Sequence, residues 1–307
     1  MRRKIVAGIL VTSFMLSVAG CSGIKEVTSD DFIDACEKLG ADEVDPEDFD
    51  DLEPDDYEDG VYVILDQDFI EENVQDYVLM SIKVSKLDLD IDIDDVEQAT
   101  FYLRVDPGVS DFMDVFDSYD DFDFDDIEAD SVIAAQITLS EEYEVPEIMD
   151  GIEDLVRRAN IDVDDLNSSE WKYNNQGGYL KLHIDIADFV QAFLESDFYD
   201  TLDDLGTADD IEDMIEDLEG DLSVAFYVSP TNVFVVVGLG LNTDSERITE
   251  FCSELNVDNP LNRPSSEVAI DAIIETLDDY SDIYASSFGR YIDLANGGSN
   301  DYDYYGF

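Results

Sequence analysis

The least polar run of this chain beyond its N-terminal segment is Val233-Phe-Val-Val-Val-Gly-Leu-Gly-Leu241, which is preceded by Leu222-Ser-Val-Ala-Phe-Tyr-Val228 and Ser229-Pro-Thr-Asn232. β-Branched and aromatic residues, which favour strands, fill both apolar runs. The four residues between the runs have the composition of a turn. The stretch therefore predicts a β-hairpin.

Further strands and helices are predicted on both sides of this hairpin, in no regular β-α-β order. Strand patterns occur at Val61–Leu65, Tyr77–Val84, Leu87–Asp94, Ala99–Val105 and Val132–Leu139, and in a hairpin of Trp171–Tyr173 with Tyr179–Ile184. Helix patterns occur at Ser29–Leu39, from Pro146 onward, and at Ile186–Leu205, Ala208–Glu219, Ser245–Leu255 and Ser266–Leu294. The mixture predicts an α+β fold of mostly antiparallel sheets packed with helices.

Three of the predicted helices end in related tetrapeptides. These are Leu39-Gly-Ala-Asp42, Ala159-Asn-Ile-Asp162 and Leu255-Asn-Val-Asp258. Each places Gly or Asn where a left-handed residue is needed and an apolar residue after it, as in a Schellman cap. The first and third helices also carry Ser, Cys and Leu at the same spacing, in the pairs Ser29/Ser245, Cys36/Cys252 and Leu39/Leu255. Duplication of a strand–helix module explains this similarity, and so does convergence on a common cap.

The acidic stretch Asp114–Asp130 is the candidate boundary between two α+β halves, residues 29–130 and residues 131–295. Residues 296–307 then form an acidic, tyrosine-rich tail. The division rests on composition, since this stretch has no continuous apolar pattern.

The chain is strongly acidic, with 79 Asp and Glu against 15 Lys and Arg. Beyond residue 20 the basic residues number 12, so the formal charge there is −67. Because hydrophobic residues make up 45% of the chain, we expect a folded core inside an acidic shell. Such a surface repels nucleic acid and leaves cations, cationic peptides and neutral envelope ligands as partners. Salt adaptation and a cation-rich cell surface both explain the acidity.

The first 21 residues have the pattern of an export signal. A basic start at residues 2–4 is followed by an apolar run from Ile5 to Ser17 and by Val18-Ala-Gly-Cys21. The apolar run is shorter than the ~20 residues that span a bilayer. The segment resembles the lipobox of bacterial lipoproteins. This resemblance implies a signal peptide of residues 1–20, a diacylglyceryl anchor on Cys21 and a location on the extracytoplasmic face of the cell membrane. Residues 21–28 then comprise the lipidated cysteine and a short tether.

Cys36 and Cys252 fall on the apolar stripes of two predicted helices. Export permits a disulfide between them. The alternative is a pair of buried thiols that pack as small hydrophobic groups. The sequence leaves both possibilities open.

Motifs for catalysis are mostly absent from the sequence. It contains no phosphate-binding Gly-rich loop, no Gly-x-Ser-x-Gly and no His-Glu-x-x-His, and its single histidine is His183. His183 shares a strand face with Tyr179 and Lys181, and a solvated strand face is the simpler interpretation of it. We therefore expect a protein that is not an enzyme.

Two runs of alternating aspartates are candidate cation sites. The first is Asp88, Asp90, Asp92 and Asp94, and the second is Asp121, Asp123 and Asp125. Neither run has the glycine and glutamate of an EF-hand loop. Loose binding of Ca²⁺ or Mg²⁺ is one hypothesis, and a charged edge strand that resists aggregation is the other.

A second candidate ligand site comprises Trp171, Tyr173, Tyr179, Lys181 and His183. Its aromatic rings lie among a local concentration of basic residues, and such a group can stack a sugar or bind an anion. The simpler alternative is that these cations pair with nearby aspartates. The sequence as a whole predicts a membrane-anchored lipoprotein that binds or scaffolds at the cell surface. The alternatives are a divalent-cation-responsive acidic module and, third, an enzyme acting on cell wall or polysaccharide.

Overall fold

The computed structural model of the 307-residue chain describes residues 26–52, 54–73, 95–105, 128–205 and 218–278, together with residues 212 and 215. The described strands are β1 (Asp42–Val44), β2 (Val61–Asp66), β3 (Val96–Arg104), β4 (Ala129–Leu139), β5 (Trp171–Asn174), β6 (Gly177–Asp185), β7 (Gly220–Val228) and β8 (Asn232–Leu241). The helices are α1 (Ser29–Lys38), α2 (Gln67–Asn73), α3 (Val145–Arg157), α4 (Ile186–Leu194), α5 (Asp197–Leu205), α6 (Glu246–Leu255) and α7, described over residues 267–278. Short 3-10 turns lie at Pro46–Asp51, Pro54–Tyr57 and Pro260–Asn262.

The eight strands form one sheet in the order β1-β2-β3-β4-β8-β7-β6-β5. Only the β1–β2 pair among these strands is parallel, and every other neighbouring pair is antiparallel. The predicted α+β fold is confirmed. The predicted hairpin is β7–β8, whose register runs from Val228 opposite Val233 to Gly220 opposite Leu241.

Among the described residues, each half of the chain contributes four neighbouring strands, in chain order from one edge to the centre of the sheet. The halves meet where β4 pairs with β8, and a helix directly follows the second strand of each half. The boundary proposed at residues 130 and 131 falls within β4. Duplication would produce this arrangement, and it stays a hypothesis.

Helices cover both faces of the sheet. The face covered by α2, α3, α4 and α7, the α3 face, has a core that includes Val63, Leu180, Val228 and Val233. On the other face, the α1–α6 face, Tyr62, Tyr102, Ala134, Ala225 and Phe234 pack under α1 and α6. Because side chains alternate along a strand, each strand contributes to both cores.

The α1–α6 face has an aromatic centre. Phe251 of α6 stacks on Tyr102, with their ring centroids 4.6 Å apart, and meets Phe32 of α1 edge-on at 5.5 Å. Cys36 and Cys252 lie in the same core as free, buried thiols. Burial raises the pKa of each thiol to about 12. The structure therefore has two buried thiols where the sequence also allowed a disulfide.

The three related helix ends are Schellman caps. Gly40, Asn160 and Asn256 have φ values of +81°, 60° and 51°. In each cap the following amide donates across the helix end, as from Val257 N to the Cys252 carbonyl at 3.0 Å. The predicted cap geometry is confirmed at all three sites.

Two element predictions were wrong. The single helix expected over Ile186–Leu205 is interrupted at Ser196, whose hydroxyl donates to the Phe193 carbonyl (2.6 Å) and accepts from Tyr199 N (3.1 Å), so α4 ends and α5 begins there. The sequence also predicts no strand over Asp42–Val44, because Asp42 and Glu43 give no apolar signal, whereas these residues form β1 with both acidic side chains exposed. The strands predicted at Tyr77–Val84 and Leu87–Asp94, most of Ala208–Glu219, residues 1–25 and the tail lie outside the described residues.

Candidate functional site

The five residues of the candidate ligand site lie on opposite faces of the sheet. Trp171 is opposite Leu180 in the β5–β6 register, so Trp171 and Tyr173 lie on the α3 face. Tyr179, Lys181 and His183 lie on the α1–α6 face. The structure therefore does not bring the five side chains together as one site. Tyr173 is 38% exposed and meets Trp171 edge-on, with centroids 5.7 Å apart.

His183 is buried, contrary to the expectation of a solvated strand face, because the segment after α6 crosses this part of the sheet. Its Nδ1 lies 2.8 Å from the Arg263 carbonyl oxygen, and its Nε2 lies 2.7 Å from Asp221 Oδ1. Because the Arg263 carbonyl can only accept a hydrogen bond, Nδ1 donates to it, and both ring nitrogens are in contact with protein groups.

Lys181 is also buried, and its Nζ contacts Asp258 Oδ2 at 2.8 Å. The ammonium group also lies 3.7 Å from the centroid of the Tyr179 ring. Burial lowers the pKa of Lys181. Burial alone would raise the pKa of Asp258, but Lys181 and Arg263 together hold it below its ordinary value. The expectation that lysines here pair with aspartates is confirmed for Lys181.

These contacts fasten the segment after α6 to the sheet. Tyr227 donates to the Asp258 carbonyl, Arg263 pairs with Asp258, and the 3-10 turn Pro260–Asn262 packs on β6 and β7. The basic and aromatic residues of this region therefore act as structural ties among the described residues. An open ligand site must be sought elsewhere.

An open cleft of about 560 Å³ lies at the opposite end of the β7–β8 hairpin from its turn. Its lining comprises Asp185, Ala187, Glu219, Gly220, Asp221, Asn242, Thr243 and Asp244. The β6 and β7 strands place Asp185 opposite Asp221 at its floor. Gly220, at φ +138°, brings its backbone so close to Gly240 that a Cβ would collide there.

The four cleft carboxylates differ in their partners. Asp185 caps α4 by accepting from Ala187 N at 2.9 Å, and Asp221 is bound to His183. Glu219 and Asp244 are exposed, and neither side chain has a partner among the described residues. The lining contains no lysine or arginine in the described part of the chain. The cleft therefore presents negative charge that is open to a cationic group.

Asp130 lies across β8 from Asp221, yet it has a different role. Its Oδ2 accepts from Arg247 N at 2.9 Å, which caps α6 in place of Ser245, whose side chain makes no cap bond. Burial raises the pKa of Asp130. Asp130 supports α6 and does not line the cleft.

No pattern in the sequence distinguishes the cleft residues. In a chain with 79 carboxylates, the four that converge at one sheet end carry no distinguishing pattern. A usable signal was the presence of Gly220 and Asn242 at the open end of the predicted hairpin, since both are residue types that adopt positive φ, as they do here. Asp88, Asp90, Asp92 and Asp94 lie outside the described residues. Within the described ranges, no three His, Cys, Asp or Glu side chains are placed to hold a metal ion.

The structure defines an α+β protein with one eight-stranded mixed sheet, covered by helices on both faces, and an acidic cleft at one sheet end. The chain matches no family model, no curated protein and no solved structure. No described helix is long and apolar enough to cross a membrane.

Proposed function

We propose that this protein is a membrane-anchored, extracytoplasmic lipoprotein with a non-catalytic binding or scaffolding role, and that its cleft binds a cationic group. Cys21 in its lipobox context supports the anchor. The observation that carries the binding role is the cleft itself, where Asp185, Glu219, Asp221 and Asp244 converge.

The volume and lining of the cleft indicate the class of ligand. A volume of about 560 Å³ lies within the ~300–1,000 Å³ of small-molecule sites. Such sites are mostly apolar, whereas this cleft is lined by carboxylates, an amide and a hydroxyl. An apolar ligand gains little there, and an anionic one is repelled. A polyamine or the basic side chains of a peptide fit this chemistry.

Binding of divalent cations is the second candidate function, because the same carboxylates attract Ca²⁺ and Mg²⁺. The aspartates at residues 88–94 remain a prediction for this role. A calcium titration at fixed ionic strength tests it. A melting temperature that rises with calcium supports the cation-responsive function, and an unchanged melting temperature contradicts it.

The ligand class is tested with a tetralysine peptide by isothermal titration calorimetry at fixed ionic strength. The double variant Glu219→Gln/Asp244→Asn removes the two unpartnered cleft charges. The control Glu141→Gln/Glu142→Gln removes two exposed charges at the other end of the sheet. We expect the cleft variant to weaken binding severalfold and the control to change it little. Equal weakening would show that total charge, and not the cleft, attracts the peptide.

The anchor is tested by Cys21→Ala. We expect the native protein to sediment with membranes and the variant to be released, because no acyl chain is then attached. A variant that stays with the membranes would contradict anchoring through Cys21.

A further inference from the structure

The described chain begins with a residue that is already docked on the sheet. Glu26 Oε1 accepts hydrogen bonds from Thr231 Oγ1 at 2.8 Å and Asn232 Nδ2 at 2.6 Å, and it also contacts Ser229 Oγ at 3.3 Å. Val27 is 2% exposed and packs into the core of the α1–α6 face. Glu26 and Val27 thus hold the chain at the turn of the β7–β8 hairpin. The sequence predicts instead that both residues belong to a free tether of residues 21–28.

This contact limits the distance between Cys21 and the turn. Five residue steps separate Cys21 from Glu26, which is a reach of at most about 18 Å. The strand β8 leads from Asn232 at the turn to Leu241 beside the cleft, nine steps or about 30 Å. A group attached to Cys21 therefore reaches the turn end but not the cleft end.

Charge does not by itself distinguish the two ends of the hairpin. The turn Ser229-Pro-Thr-Asn232 contains no charged residue, but the segment bonded to it carries exposed Glu141 and Glu142, and the cleft end carries four carboxylates. Anionic headgroups repel both ends, and beyond a Debye length of ~8 Å this repulsion is screened. The short link from Cys21 to the turn therefore decides which end lies at the membrane.

We infer that the lipidated protein stands on the bilayer with the Ser229–Asn232 turn toward the headgroups and the acidic cleft facing away from the membrane. This inference rests on the proposed anchoring through Cys21, and it adds the orientation of the bound protein. The partner of the turn end is the lipid headgroup surface. The cleft then points to solvent, where it is accessible to a cationic ligand.

The orientation is tested by energy transfer on the full-length lipidated protein in vesicles. Ser140→Cys places a fluorescent donor beside the turn, and Thr243→Cys places one at the cleft. A headgroup-labelled lipid is the acceptor. Cys36 and Cys252 are buried with pKa values of about 12, so maleimide at pH 7 labels only the introduced cysteine.

We expect severalfold more transfer from position 140 than from position 243. Equal transfer, or more from position 243, overturns the orientation while leaving anchoring intact. Vesicle flotation reports anchoring separately, and protein that fails to float contradicts both proposals. Glu26→Ala with Cys21 intact should still float but should reduce the difference between the two positions, because the clamp at the turn is lost. An unchanged difference would show that Glu26 does not set the orientation.

Discussion

The two faces of strand β6 are built from different chemistry. Leu180, Leu182 and Ile184 lie on the α3 face, whereas Tyr179, Lys181 and His183 lie on the α1–α6 face. Helix α3 covers the first set, and the irregular segment after α6 covers the second. Both sets are largely buried, so burial alone does not explain the difference.

The backbone of the covering element explains it. A helix satisfies its own carbonyl groups along its length and therefore packs on apolar side chains. The irregular segment leaves the carbonyls of Asp258 and Arg263 without such partners, and a buried carbonyl requires a donor. Tyr227 and His183 donate to them. The polar side chains on this buried strand face thus serve the loop that covers them: Tyr227 and His183 bind its carbonyls, and Lys181 binds the carboxylate of its Asp258. The following variants compare this region with the parts of the sheet that helices cover.

The largest effect is expected in the part of the α1–α6 face that helices cover. Phe251→Ala removes a fully buried ring that contacts Tyr102, Phe32 and Phe234, and we expect a loss of about 3–5 kcal/mol in unfolding free energy. Urea denaturation measures it. The control Ile133→Ala, at a side chain 40% exposed, should cost well under half as much. Similar losses would mean that the aromatic cluster is not a tightly packed core.

The next largest loss of unfolding free energy is expected at a glycine under a helix, and two such glycines, Gly238 and Gly178, can be compared. A Cβ on Gly238 would lie 2.6–2.9 Å from Ile248, a stiff β-branched side chain. A Cβ on Gly178 would lie 2.5 Å from the sulfur of Met149, which can move away, and 2.8 Å from the Cβ of Tyr173, which lies on the edge strand β5 and can move only with that strand. We expect Gly238→Ala to cost about 1–3 kcal/mol and Gly178→Ala less, measured by urea denaturation. The reverse order would show that α6 adjusts more easily than α3.

A smaller loss of stability is expected at the C-terminal end of α6, where the irregular segment begins. Asn256 has φ 51°, so Asn256→Ala forces a Cβ-bearing residue without a local polar group into the left-handed region and should cost about 1 kcal/mol. Asn256→Gly should be neutral or slightly stabilising, because glycine adopts this φ freely. Thermal unfolding of the two variants distinguishes them. Equal melting temperatures would contradict a cap that depends on φ.

The smallest effect concerns Asp258, whose carboxylate is half exposed and screened. Its pKa is lowered in the folded protein, so its ionised form contributes fully to stability above the ordinary pKa of 3.8, and this contribution is lost as pH falls through the lowered pKa. We expect Asp258→Asn to be less stable than the wild type by up to about 1 kcal/mol at pH 7, and we expect this difference to be smaller at pH 3.

The control for this prediction is Asp271→Asn, which removes one charge from an exposed position on α7. Both variants relieve the self-repulsion of the acidic chain equally. The difference between the urea midpoints of the two variants is measured at pH 7 and at pH 3. The change in this difference with pH reports the contribution of the ion pairs that Lys181 and Arg263 make with Asp258. If the two variants differ by the same amount at both pH values, the tie does not depend on the ionisation of Asp258.

Much of the fold could be predicted from local pattern. The β7–β8 hairpin, α1, α6 and the caps at Gly40, Asn160 and Asn256 each depend on a few neighbouring residues. The break at Ser196 was missed because a serine inside an apolar stripe does not reveal which carbonyl its hydroxyl will contact. β1 was missed because parallel pairing with β2 needs no apolar side chain.

The candidate site could not be predicted in the same way. Alternation correctly placed Lys181 and His183 on one face, but it gave no information on the segment that covers them, nearly 80 residues further along the chain. Trp171 and Tyr173 are close to these residues in sequence and were therefore grouped with them. The β5–β6 register places Trp171 opposite Leu180, so the two sets of side chains lie on opposite faces of the sheet. The cleft depends on the ends of three strands, β6, β7 and β8, which meet only in the assembled sheet.

The sequence by itself determined the class of fold, the central hairpin and its turn, the helix caps, the acidity and the predicted anchor at Cys21. These properties depend on neighbouring residues and on composition, which are fixed before the chain folds. Only the tertiary structure decided that His183 is buried, that Glu26 clamps the chain start to the turn, and that the carboxylates of Asp185, Glu219, Asp221 and Asp244 form one cleft. Each of these joins residues far apart in sequence, and their contact depends on sheet order and packing, which no local pattern encodes.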